Sequence, residues 1–205
     1  MSTSSASSAS SAWTRRAAAV AGHEGDADGA RRLFHHVDAA TRSSALAALD
    51  RMGKLEADVL LTALVDASPV VRRRAATLSA RRSGVSLLPL LGDADHSVVE
   101  AAAFASGERS PAEPGAVELL CAMATGHPDS PCREAAVAAL GAIGDPAGLP
   151  AILAATGDRA TVRRRAVIAL APFEGPEVDA ALARATGDRD WQVRQAAEDQ
   201  LPATT

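Results

Sequence analysis

The segment Gly157–Leu170 reads GDRATVRRRAVIAL, and nearly the same phrase stands at Asp66–Leu78, DASPVVRRRAATL. The pattern returns at Asp93–Ala105 (DADHSVVEAAAFA), His127–Gly141 (HPDSPCREAAVAALG) and Gly187–Leu201 (GDRDWQVRQAAEDQL). A weaker copy, DAATRSSALAAL, occupies Asp38–Leu49. Each copy opens on acidic or turn residues, reaches an anchor and places alanine four positions later. The anchors Thr41, Val71, Val99, Cys132, Val162 and Val193 are spaced 30, 28, 33, 30 and 31 residues apart. Repetition at this period is the mark of stacked helical hairpins.

At 3.6 residues per turn, the anchor and the positions four and eight later lie within about 80° of one another, one apolar stripe. Leucine fills the eighth place at Leu49, Leu140, Leu170 and Leu201. Alanine at the fourth place lets a neighbouring helix approach closely. Asp66, Asp95, Asp158 and Asp190 precede these helices and suit N-caps, while Pro69 and Pro131 suit a first helical turn. Other apolar stretches lie between: Gly29–Val37, Leu55–Val65, Val85–Leu91, Ala116–Ala124, Leu149–Ala155 and Val178–Ala185. Helix, turn, helix repeated about every 30 residues is an all-α fold, an α-solenoid of about six hairpins in which each pair covers its neighbour's apolar face. The expected repeats are 26–52, 54–82, 85–107, 112–142, 146–171 and 175–201, within a single domain spanning 13–205. Trp13–Ala21 reads as an N-terminal capping helix, and Glu198, Asp199 and Gln200 give the last helix a polar outer side.

Composition agrees. Almost a quarter of the 205 residues are alanine, against 3 Phe, 2 Trp and no Tyr. Dense helix formers and sparse strand formers argue against sandwiches, barrels and α/β sheets. A net charge of −4 argues against phosphate-driven nucleic-acid binding, and five aromatics leave little to stack on bases. Residues 1–12, MSTSSASSASSA, read as a disordered serine-rich tail without the charged and apolar regions of a signal peptide. No stretch is apolar enough for a membrane span. Cys121 and Cys132, without any CxxC, fit a reducing interior, so a cytoplasmic protein is expected.

The stretch Cys132–Leu153, CREAAVAALGAIGDPAGLPAIL, resembles the HEAT-like repeat of the phycobilisome-lyase type, with its pattern VRxxAxxALGxIGDPxxLPxL. Gly141, Ile143, Gly144, Asp145, Pro146, Leu149 and Pro150 match. The third repeat departs most, with Glu100 where arginine is expected and Pro89 inside a short first helix. The resemblance implies fold more than function, since such repeats serve scaffolds, lyase subunits and oxygenases alike.

Arginine dominates the remaining chemistry, with 20 against one lysine. The position after the anchor holds Arg42, Arg72, Arg133, Arg163 and Arg194, on the flank of the stripe. Such residues are expected to ladder onto aspartates or free helix-end carbonyls of adjacent turns. The next positions point outward, and there Arg73, Arg74, Arg164 and Arg165, together with Glu134 and Gln195, form the candidate partner-binding row. Trp191 is read first as a staple over the last repeat and second as a contact for a partner. The histidines show no HExxH and no pair four apart, so no metal set and no cofactor are expected. A HEAT-like di-iron site of the deoxyhypusine-hydroxylase kind uses several His-Glu pairs, and this chain holds one, His23-Glu24. No nucleophile elbow or phosphate loop occurs, so no catalytic residue is assigned.

The expectation is therefore a monomeric, non-catalytic scaffold that binds another protein through the surface of its second helices, taken to be concave. A bilin-lyase-like or iron-oxygenase-like enzyme is the alternative, with a DNA-binding array behind it. Neither membrane nor nucleic acid is expected as a partner.

Overall fold

The computed structural model describes residues 4–201, with side chains from Thr14 to Leu201. The described residues form helices joined by short turns, and no strand occurs among them. They gather into two compact units, one up to residue 85 and one from residue 86.

In the first unit, α1 (Ser4–Glu24) packs on α2 (Ala27–Phe34) and α3 (Ala39–Arg51), and α5 (Pro69–Leu78) packs on α3 and α4 (Ala57–Leu64). Where a tail was expected over 1–12, α1 already begins at Ser4. That helix is held by the packing of α1 on α2 and α3. The side chain of Trp13 lies outside the described residues. Ala21 of α1 joins Ala30, Ala48 and Leu49 in a small core, closed by Met52 and Leu55. The polar anchor Thr41 is fully buried, and its hydroxyl is satisfied by Asp38 at 2.6 Å and Thr14 at 3.0 Å.

The second unit holds α6 (His96–Gly107), α7 (Ala116–Gly126), α8 (Ser130–Ile143), α9 (Leu149–Ala155), α10 (Ala160–Ala169), α11 (Pro176–Ala185) and α12 (Trp191–Glu198). The second helices stack in a row, α6 on α8, α8 on α10 and α10 on α12, while α7, α9 and α11 cover them from one side. This is the α-solenoid architecture. The expected first helix around Val85–Leu91 is reduced to a 3-10 turn, Leu88–Gly92, because Pro89 leaves no room for a full α-helical ladder.

All six anchors are buried, and so are Ala45, Ala75, Ala103, Ala136, Ala166 and Ala197 four places later. Capping divides the aspartates into two groups. Asp95 and Asp190 cap α6 and α12 as expected. Asp66 and Asp158 do not cap, since Ser68 and Arg159 occupy those cap positions; both carboxylates turn toward arginines instead. The αL residue Gly144 ends α8, its N–H donating to the Leu140 carbonyl.

The row is tight because glycine meets alanine between successive helices. A Cβ on Gly141 would stand 2.6 Å from the Ala169 Cβ and 2.7 Å from its Cα. Gly107 meets the Ala139 Cα in the same way, and Gly22 meets Ala48 in the first unit. Gly141→Ala is therefore expected to destabilise the fold by about 1–3 kcal/mol through overpacking. Gly126→Ala, facing open space, should leave the thermal midpoint unchanged or slightly raised, as paired melting curves will read.

Candidate functional site

Three steps between second helices, at Arg42, Arg133 and Arg163, repeat one electrostatic device. Arg133 sends Nε and Nη2 to Asp158 at 2.6 and 2.8 Å, and its Nη1 to the carbonyls of His127 and Pro128. Arg163 holds Asp188 at 2.8 and 2.7 Å and reaches the Asp158 carbonyl. Arg42 does the same with Asp66, His36 and Val37 in the first unit. Arg72 and Arg194 likewise donate to carbonyls five and six residues back. The planar guanidinium thus closes a helix-start turn and binds the next repeat at once.

These contacts move the carboxylates. The hydrogen bond from Arg163 lowers the Asp188 pKa, and that from Arg133 lowers Asp158, against the effect of burial. At Asp66 burial pushes upward, but Arg42 and the Ser68 N–H outweigh it and the net shift is down.

One step inverts the device. At the third repeat Glu100 takes the arginine's place, and the turn residue facing it in register is His127 instead of an aspartate. His127 Nδ1 accepts the Asp129 N–H, and its ring lies edge-on to His96, centroids 5.2 Å apart. His96 Nδ1 stands 2.9 Å from Asp129. Glu100, Asp129 and buried Cys132 bring their ligand atoms within 4.8 Å of one another. Burial, with Asp129 and Glu100 adding to it, pushes the Cys132 thiol up to about 11. The sequence reading missed this group because its members come from two repeats; the missing arginine at Glu100 was the visible signal.

The outer face of the second helices carries two troughs in the second unit. One, of about 430 Å³, runs between α6 and α8 and is lined by Glu100, Phe104, Glu108, Glu134, Ala138 and Arg165. The other, of about 350 Å³, lies between α10 and α12 beside Arg164, Ile168, Trp191, Gln195 and Asp199. Alanines form much of the first floor, and three large apolar side chains stand open to solvent: Phe104 at 57%, Ile168 at 39% and Trp191 at 64% exposure.

Of the candidate row, Arg164, Gln195 and Trp191 thus share one trough, while Glu134 and Arg165 meet at 3.4 Å in the other. Arg73 and Arg74 belong to the first unit, exposed, with Arg74 Nε 3.4 Å from the Ser43 hydroxyl. Trp191 is no staple: it is the first residue of α12, and its ring is mostly exposed. Phe104 and Ile168 escaped the sequence reading because apolar residues in a helical pattern read as core.

Comparison with known proteins agrees with this geometry. Residues 85–171 match the family model described as HEAT repeats. A designed armadillo repeat protein, YIII(Dq)4CqI, superposes with a TM-score of 0.61 at 18% identity, covering 84% of this chain and 97% of its own. The X-ray structure of YibA from E. coli gives 0.61 at 18% identity, over 83% of this chain and 67% of its own. None of the curated proteins matches in sequence. These likenesses show the fold, an α-solenoid like those of armadillo repeat proteins, with the HEAT match confined to residues 85–171.

The ladder has a pH signature. A carboxylate whose folded pKa is depressed contributes stability that is complete above its unfolded value of about 4 and fades as pH falls through the lower folded value. The melting temperature should therefore hold at neutral pH and fall below about pH 4. Arg163→Ala should cost about 1–3 kcal/mol at pH 7, since it takes the guanidinium from Asp188 and the donor from the Asp158 carbonyl at the helix start. Its difference from the parent should shrink in acid, which melting curves across pH will test.

Proposed function

We propose that this chain is a non-catalytic HEAT-repeat scaffold or adaptor, of the phycobilisome-lyase HEAT-like subtype, whose outer second-helix face binds another protein. Cys132–Leu153 supports the subtype, and a monomeric protein working in the cytoplasm is the setting this reading implies.

One observation carries the reading: three exposed apolar side chains, Phe104, Ile168 and Trp191, stand over two troughs on one row of helices. Exposed aromatics set among small residues and rimmed by charge are how partner surfaces concentrate their binding energy. The small floor admits a helix or an extended peptide closely. Arg164 and Arg165, between the troughs, would orient a carboxylate-bearing partner, and Glu134 would set the register of Arg165.

Affinity capture by the full chain from its native host, followed by identification of the bound proteins, tests this. Trp191→Ala and Phe104→Ala are each expected to weaken a captured partner by about 2 kcal/mol, roughly 30-fold, with helicity unchanged. The double reversal Arg164→Glu and Arg165→Glu should also weaken capture and make what remains less sensitive to salt. Capture that is indifferent to all of these changes overturns the reading.

A further inference from the structure

From the inverted ladder step we infer a transition-metal site in the second unit, a Zn²⁺-class ion held by Cys132 Sγ and the carboxylates of Glu100 and Asp129. Two independent features of the structure lead to it. The first is proximity of a mixed donor set: the three ligand atoms lie within 4.8 Å of one another, and the thiol among them is buried. Zinc–sulfur and zinc–oxygen bonds of about 2.0–2.3 Å place such atoms about 3.5 Å apart, so a movement of about 1 Å closes the set.

The second is charge. In the steps at Arg133 and Arg163, a guanidinium lies between successive repeats and neutralises the facing carboxylate. Here Glu100 stands in that slot opposite His127, and the Asp129 carboxylate and the Cys132 thiol lie beside it with no guanidinium between. Among the described residues no arginine or lysine forms an ion pair with Glu100 or Asp129; Asp129 has the exposed His96 and the Cys132 N–H, and Arg133 acts on it only at longer range. Arg133, next to Cys132, is spent on Asp158 and the His127 carbonyl. A divalent cation supplies the missing positive charge from the same side of the step.

The donors choose the metal. A thiolate with carboxylates favours Zn²⁺ or Co²⁺ over Mg²⁺ and Ca²⁺, which take oxygen alone. Binding breaks the Cys132 S–H bond, forms the metal–sulfur bond and releases that proton to solvent, with no redox change. Three protein ligands leave the fourth position to water. His96 is the positioning residue: its Nδ1 contact holds the Asp129 carboxylate in place. Asp129 is also the N-cap of α8, so the ion ties the start of that helix to α6.

Cobalt titration of the reduced, full-length chain tests the site, because a thiolate-bound Co²⁺ shows a charge-transfer band that carboxylates alone do not produce. The expected result is a band saturating at a single ion per chain, reversed by added Zn²⁺ and retained in Cys121→Ser. Cys132→Ser should abolish the band, and His96→Ala should weaken binding by about 10-fold. Glu100→Arg, which restores the ladder residue, should abolish binding while circular dichroism stays helical; this variant keeps the test sharp if Cys132→Ser fails to fold. No band in the parent chain, or one that survives Glu100→Arg or is lost with Cys121→Ser, overturns the inference.

Discussion

Backbone meets backbone between the second helices of this protein, and the rest follows from that. Gly141 lies against Ala169, Gly107 against Ala139 and Gly22 against Ala48, each so near that a single added methyl collides. Only small residues permit axes at the short end of the helix-packing range. The demand explains the alanine content and the near absence of aromatics. It also limits the apolar area each helix can bury, so polar connections between repeats carry part of the cohesion.

Arginine provides those connections. One guanidinium meets the next repeat's aspartate with two nitrogens and closes its own turn with a third, as at Arg133 and Arg163. Lysine, a point charge on a flexible stem, cannot hold two such directions together. That geometry accounts for an arginine-rich, almost lysine-free chain whose overall charge is still slightly negative. The aspartates divide the labour accordingly, some capping helices and others receiving arginine.

The second unit departs from this regularity in two ways that bear on function. At Glu100 the ladder's polarity is reversed, and acid, thiol and imidazole gather where arginine and aspartate meet elsewhere. On the outer face, the smooth alanine floor is broken by Phe104, Ile168 and Trp191, which no neighbouring helix covers. A repeat stack can carry such exceptions cheaply, because each repeat contacts only its neighbours and a local change does not propagate.

The helical period, the buried anchors and their partner alanines, and the arginine positions were all legible in the chain, because each depends on residues within one helix or at one fixed offset. Even the irregular third repeat announced itself, through Pro89 and Glu100. Tertiary structure decided what lies between repeats. It set which aspartates cap and which bind arginine, how far α1 extends, and where the chain divides into two compact units. It also brought Glu100 to Asp129 and Cys132, and left Trp191 open. Those outcomes depend on distances across some 30 positions of sequence, and a helical period reports which face a residue occupies but not what stands opposite it.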